Sequence, residues 1–132
     1  MMEREILSYT LDQLKTKGMD HAACSLEQST KYEMNVEAGK ITLIRTVFNN
    51  GLGLYAINNN RSGSYSVNKL DRETIDQAID SVIEIAKSSE PDPAHAIAEY
   101  QPPAAFHTGP REPDQDLMYA RLAEFLEQVK AK

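Results

Sequence analysis

The six prolines of this chain all fall in one short stretch, and that stretch divides the sequence. They lie between Pro91 and Pro113, in a segment that also holds Gly109 and shows little hydrophobic periodicity. Proline lacks the backbone N–H and interrupts both helices and central strands, so this segment cannot form either. We therefore predict three parts: a folded domain over residues 1–90, a Pro-rich linker over 91–113 and a helix over 114–132.

Three segments have apolar residues at helical spacing. The first covers residues 3–17 and is followed by Gly18, a common stop signal at the end of a helix. The second follows Asp71, a good N-cap, and ends near Ser88. The third follows Asp114, which is also a suitable cap. All three are predicted to be amphipathic helices.

Between the first two helices, apolar and polar residues alternate as they do in strands with one dry face. Ala38-Gly39 predicts a hairpin turn because Gly39 tolerates a positive φ. Asn49-Asn50-Gly51 predicts a second turn, with Gly51 and Gly53 as turn or bulge positions, and a third turn is predicted at residues 58–60.

These patterns together predict an α+β fold. Its centre would be an antiparallel β-meander of about five strands, covered by two amphipathic helices. The Pro-rich linker and the C-terminal helix would follow this domain. The last helix needs a surface on which to bury its apolar side, either on the same domain or on a partner.

Charge and cysteine content restrict the classes of function. The 132 residues carry 14 basic and 20 acidic side chains, for a net charge of -6. Binding to a phosphate backbone depends on Lys and Arg, so we expect no nucleic-acid partner. No apolar run approaches the roughly 20 residues that cross a bilayer, so we expect no membrane partner. Cys24 is the only cysteine. This fits a reducing compartment, and we expect the protein in the cytoplasm.

The residues that could carry catalysis or bind a metal do not combine into a site. His21 and Cys24 are three apart in a predicted strand and would point to opposite faces. His95 and Glu99 are four apart, but nearby prolines leave at most one helical turn to align them. His107 has no carboxylate or nucleophile close in sequence. We therefore assign no catalytic, cofactor-binding or metal-binding residue to this chain.

An acidic stripe on the second predicted helix has an ordinary explanation. Asp76, Asp80 and Glu84 follow one another at intervals of four residues, opposite the apolar side of the helix. Amphipathic helices commonly have such a face. We interpret it as a solvated polar surface.

One element is a candidate for binding. It is a run of small and polar residues: Arg61, Ser62, Gly63, Ser64, Tyr65 and Ser66. The small side chains would leave one strand face accessible, and the backbone of an edge strand can pair with an extended peptide. The alternative interpretation is an ordinary strand that packs closely under a helix.

The order and spacing of these elements are similar to those of a known family. The similarity lies in residues 32–40, the Gly-x-Gly strand 50–55, the small-residue strand 61–66, Leu70 and the helix 75–86. Residues 1–90 resemble the N-terminal domain of the TldD/PmbA family, also called modulators of DNA gyrase. The linker and the last helix resemble that family only loosely.

The resemblance implies a longer protein, in which this domain precedes a mainly β C-terminal domain. TldD-type members are zinc metallopeptidases that use a helical H-E-x-x-x-H motif. PmbA-type members lack the motif and act as the partner subunit. No H-E-x-x-x-H occurs in these 132 residues, so none of the family's zinc ligands can be assigned to this chain. Zinc is expected only in a full-length protein of the TldD type, and residues 49–53 and 61–66 look closer to the PmbA type.

The resulting prediction is a domain that is not an enzyme by itself. It would contribute to a homodimer, or to a heterodimer with a related subunit. It would also control the access of peptides or unfolded proteins to a peptidase site in its own C-terminal domain, outside this sequence. We expect the chain to continue, because the last helix has no capping signal before Lys132.

Two alternatives to a peptidase role follow from the sequence. One is a protein-interaction module, such as a modulator of DNA gyrase. The other is a free-standing protein that dimerises through its last helix, whose apolar side requires burial.

Overall fold

The structure, a computed structural model, describes residues 2–131. Its elements in chain order are helix α1 (Glu3–Thr16), strands β1 (His21–Glu37), β2 (Lys40–Asn58) and β3 (Arg61–Val67), and helices α2 (Arg72–Ser88) and α3 (Gln115–Lys130). The strands form one sheet in the order β1-β2-β3, and β2 pairs with β3 in antiparallel register. The predicted α+β class is confirmed.

Within residues 2–131 the sheet has three strands, so the prediction of about five is wrong. The predicted turn at residues 49–51 does not form, because the chain stays extended through β2. Gly51 and Gly53 both lie inside that strand, and neither has a positive φ. Pairing of Leu52 and Gly53 with β3 stabilises the extended backbone. The assignment of Gly51 and Gly53 as turn positions is therefore also wrong.

The connections between strands use residues with a left-handed backbone. Ala38 and Gly39, with φ of 52° and 77°, connect β1 to β2. Asn59 and Asn60, with φ of 52° and 62°, connect β2 to β3. Two consecutive positive φ angles are typical of the type I′ turn, whose twist matches that of the flanking strands.

The chain divides into two compact units. Unit 1 comprises Met1–Ser29 and Asn49–Gln101, and unit 2 comprises Thr30–Phe48 and Pro102–Lys132. Strands β1 and β2 contribute residues to both units. The domain limits expected from the sequence, at residues 90 and 113, remain a prediction.

The core of unit 1 is built on one face of its strands. Leu52, Leu54 and Ala56 alternate along β2 and are at most 3% exposed. Helix α1 adds Ile6 and Leu14 to this cluster. Helix α2 contributes residues at helical spacing: Ile75, Ala78, Ile79, Val82, Ile83 and Ala86. Strand and helix periodicities therefore direct their apolar side chains into one interior.

Side-chain caps define the starts of two helices. The backbone N–H of Thr74 donates to Asp71 at 3.0 Å, and that of Leu117 donates to Asp114 at 3.0 Å. The predicted caps of α2 and α3 are thus confirmed. Hydrogen bonds from Thr74 lower the pKa of Asp71, and the bond from the hydroxyl has a larger effect than the bond from the amide.

The acidic stripe faces solvent as predicted, and two of its residues also contact α1 or the residue after it. The hydroxyl of Tyr9 donates to the carboxylate of Asp76, and Lys17 Nζ lies 2.7 Å from Asp80 Oδ1. The Arg72 guanidinium also lies 4.8 Å from the centre of the Tyr9 ring. Asp76 and Asp80 therefore link two helices as well as facing solvent. The exposed Lys17–Asp80 pair contributes little to stability because water screens it.

Unit 2 contains a β-ribbon and helix α3, and its described residues form no buried interior. Within residues 30–48 and 102–131, no side chain is fully buried. A groove of about 610 Å³ lies between β1 and α3, and its apolar lining includes Tyr32, Met34, Leu122 and Phe125. Helix α3 therefore covers its apolar side only in part.

Helix α2 passes over β3 at Gly63. A Cβ atom at this position would lie 2.5 Å from the carbonyl oxygen of Val82 and 2.7 Å from the backbone nitrogen of Ala86. A real Cβ atom essentially never comes this close to a non-bonded atom, and both neighbours are helix backbone that cannot rotate away. Only glycine allows the helix and the strand to approach this closely.

We expect Gly63→Ala to lower the free energy of unfolding by about 3 kcal/mol, because the new methyl group must displace helix backbone. Urea unfolding followed by circular dichroism measures this loss. Gly51→Ala is the matched control, since Gly51 is also a strand glycine and a Cβ there meets nothing within 4 Å. Equal unfolding midpoints for the two variants would contradict the close approach.

Candidate functional site

Strand β3 lies at an edge of the sheet, so among the described residues no strand neighbours one side of its backbone. Asn58 and Arg61 flank a two-residue turn, and such a pair exchanges hydrogen bonds. From this pair onward, the N–H and C=O groups of successive residues point alternately toward β2 and away from it. Arg61, Gly63, Tyr65 and Val67 bond to β2, whereas the serines between them direct their N–H and C=O groups outward.

The outward backbone groups belong to Ser62, Ser64 and Ser66. In the described part of the chain, no backbone hydrogen bond outside the sheet involves these three residues. The outward N–H and C=O groups of these residues therefore give the edge alternating donors and acceptors, and those of Ser64 and Ser66 lie beyond the start of the strand. This is the arrangement that an added strand requires.

The same three serines place their side chains on the face opposite the core. In the β2–β3 register, Ser64 pairs with Tyr55 and Ser66 with Gly53, whereas Gly63 pairs with the buried Ala56. Alternation along both strands therefore puts the core on one face and the serines on the other. Helix α2 packs against the Gly63 side and leaves the serine side open.

A groove of about 450 Å³ lies on this open face. Its walls include Ala23, Ser25, Tyr55, Ser64 and Ser66. Gly53 has no side chain that would fill the groove, and a Cβ there would lie 3.0 Å from Ser25 Oγ. None of the lining residues carries a charge at neutral pH. The groove is therefore suited to neutral side chains and to hydrogen bonds with a peptide backbone.

The histidines predicted to lie apart from any site are dispersed. His21 is exposed at the start of β1, and His107 is exposed in the Pro-rich segment. Within residues 2–131, no three His, Cys, Asp or Glu side chains lie close enough together to hold a metal ion. The described side chains of the groove beside β3 can form hydrogen bonds and packing contacts.

His95 makes a contact that the sequence did not predict. A hydrogen bond of 3.2 Å joins its Nε2 atom to Ser62 Oγ. From the sequence, His95 and Glu99 are assigned to no site, because nearby prolines leave at most one helical turn to align them. The two bonded residues are 33 positions apart, and no local pattern indicates contacts over such a distance.

Cys24 lies beside the groove as a half-buried thiol. Its Sγ atom is 3.7 Å from the carbonyl oxygen of Leu7. Burial raises its pKa from 9.0 to about 11, because the thiolate would lose hydration. At neutral pH Cys24 is therefore a protonated packing residue with low nucleophilicity.

We expect iodoacetamide to alkylate Cys24 about a hundredfold more slowly in the folded protein than in urea, because the raised pKa lowers the thiolate fraction. Mass spectrometry at a mildly alkaline pH measures both rates on the same chain. Similar rates in the two states would show that the thiol is not desolvated.

Comparisons with known proteins agree on the type of domain. Residues 22–86 match the family model described as PmbA/TldA metallopeptidase domain 1. The structure is similar to the crystal structure of TldE from Thermococcus kodakarensis, with a TM-score of 0.75 and 19% sequence identity. This similarity covers 90% of the present chain and 28% of the TldE chain. At this identity the similarity to TldE establishes the fold alone.

No curated protein matches the chain in sequence. In residues 2–131, no helix combines the length and hydropathy needed to span a membrane.

Proposed function

Because this chain belongs to the PmbA/TldD family through its first domain, we propose that it guides peptides to a peptidase site located elsewhere in a longer protein. In this proposal the domain is non-catalytic. Extended peptides or unfolded segments would pair with the β3 edge, in the cytoplasm. The unpaired edge at Ser64 and Ser66 is the observation that supports it.

The edge suits a substrate that is recognised through its backbone hydrogen-bonding groups. Pairing with outward N–H and C=O groups depends little on peptide sequence, because every peptide carries the same groups. The neutral groove beside Ser64 and Ser66 would accept alternate side chains of the paired peptide. Most strands of folded proteins would be rejected, because their backbone groups are already paired.

Unit 2 supports a second role for the domain, in assembly with another subunit. Nine large apolar side chains are exposed in unit 2: Val36, Leu43, Ile44, Phe48, Phe106, Leu117, Tyr119, Phe125 and Val129. They expose on the order of 1,000 Å², comparable with the roughly 800 Å² that each partner buries in a typical interface. We propose that a second copy of this chain covers these side chains.

Charge favours unit 2 as the surface between two copies. Residues 30–48 and 102–132 contain seven basic and seven acidic side chains, so the net charge of -6 arises entirely from unit 1. Two copies that met through unit 1 would repel each other. Contact through the neutral unit 2 avoids that repulsion.

The peptide-pairing proposal predicts that Ser64→Pro weakens binding of a short acetylated peptide of alternating Thr and Val. Proline removes one outward N–H, and it is tolerated on an edge strand where that N–H faces solvent. We expect about a tenfold loss of affinity, measured by fluorescence titration of the full chain.

Ser64→Ala is the matched control, because it removes the hydroxyl but keeps the backbone donor. Equal affinity of both variants and the wild type would contradict pairing through this edge. Circular dichroism of both variants establishes that the fold is retained.

The assembly proposal predicts that Phe48→Ser weakens self-association about tenfold, since Phe48 is 76% exposed and apolar contacts dominate interface energies. Sedimentation equilibrium over a range of concentrations measures it. Tyr100→Ser is the control, because Tyr100 is 87% exposed in unit 1. A wild-type chain that stays monomeric throughout would rule out the homodimer.

A further inference from the structure

The segment that follows α2 returns to the start of β3. We name residues 89–97 the strap. At its first residue, the guanidinium Nη1 of Arg61 donates to the carbonyl oxygen of Ser89 at 2.6 Å. Further along, the backbone N–H of Asp92 donates to the carbonyl oxygen of Asn60 at 2.7 Å. Two hydrogen bonds thus fix the strap at the turn that opens β3.

A third contact places the strap on the other side of the strand. His95 is bonded to Ser62, whose side chain lies on the open face with Ser64 and Ser66. Arg61 lies on the opposite side, with Gly63, by strand alternation. Between Ser89 and His95, the strap therefore passes around the edge of the sheet at residues 60–62.

The strap has its own internal order. The carboxylate of Asp92 accepts a hydrogen bond from the N–H of Ala94 at 2.9 Å, and the carbonyl oxygen of Asp92 accepts one from the N–H of His95 at 3.1 Å. Pro91 and Pro93 restrict the backbone on either side of Asp92. The side chains of His95 and Ile97 are half-buried.

We propose that the strap is an end stop for the peptide that pairs with β3, which rests on the proposed function. The strap occupies the position at Asn60–Ser62 through which an added strand would have to continue. A paired peptide would therefore bond to Ser64 and Ser66 and would end, or turn away, before Ser62. The stop sets the register of the peptide and favours substrates with a free chain end.

The contacts favour an end stop over a lid. The groove on the open face is lined by Ser64 and Ser66, but neither Ser62 nor any strap residue lines it. The strap therefore occupies the edge at residues 60–62 and leaves the edge open at Ser64 and Ser66. Strap and peptide would compete only for Ser62.

Amide hydrogen exchange of the full chain tests the end stop, with the acetylated Thr/Val peptide as the probe. In the wild type we expect the peptide to slow exchange at Ser64 and Ser66 but not at Ser62. The double variant D92P/H95A removes the N–H donor and the imidazole that hold the strap. In this variant we expect Ser62 to become protected as well, and the affinity to rise about fivefold from one added hydrogen-bonded pair.

His107→Ala is the control, since His107 is an exposed histidine of the same Pro-rich segment, and it should behave as the wild type. Equal protection of all three serines in the wild type would overturn the end stop while leaving edge pairing intact. Peptide binding only in the double variant would also overturn it, because the strap would then be a lid. Absence of protection in every protein would overturn edge pairing itself, and the end stop with it.

Discussion

Helix α2 and strand β3 come into backbone contact at Gly63, and the arrangement of unit 1 depends on this contact. The carbonyl oxygen of Val82 and the backbone of Ala86 occupy the space that any side chain at position 63 would need. The core face of β3 is therefore filled by helix backbone. At Gly63, what β3 can offer to a partner lies on its other face or along its outer edge.

The strap is a geometric consequence of the same contact. Because α2 lies across β3 and ends at Ser88, the following residues leave the helix next to the start of the strand. Arg61 meets the chain at Ser89, and the strap then crosses to Ser62 on the opposite face. Prolines on both sides of Asp92 give this crossing a restricted backbone. A segment that the sequence predicts to be a linker therefore lies at one end of the candidate site.

The two units divide charge and hydrophobicity between them. Within residues 2–131, every buried apolar side chain lies in unit 1, which also carries all of the net charge, whereas unit 2 is neutral and exposes nine large apolar side chains. A unit without an interior gains stability mainly by covering such side chains with another surface. Peptide pairing and subunit assembly are therefore proposed for different parts of the chain.

The sequence by itself determined the features that depend on neighbouring residues. These are the helical positions, the caps at Asp71 and Asp114, the turn at Ala38-Gly39, and the small-residue strand at residues 61–66. Each follows from side-chain spacing or from one residue's backbone preference. The prediction failed at Gly51 and Gly53, where local preference favours a turn but pairing with β3 keeps the chain extended.

Only the tertiary structure decided which residues meet across long separations. It placed β3 at the sheet edge, brought α2 onto Gly63, linked Asp76 to Tyr9 and joined His95 to Ser62. Periodicity reports which side of an element is apolar, but not which other element covers that side. The candidate residues could therefore be named from the sequence, whereas the open edge and its end stop arise from how the helix and the strap pack around them.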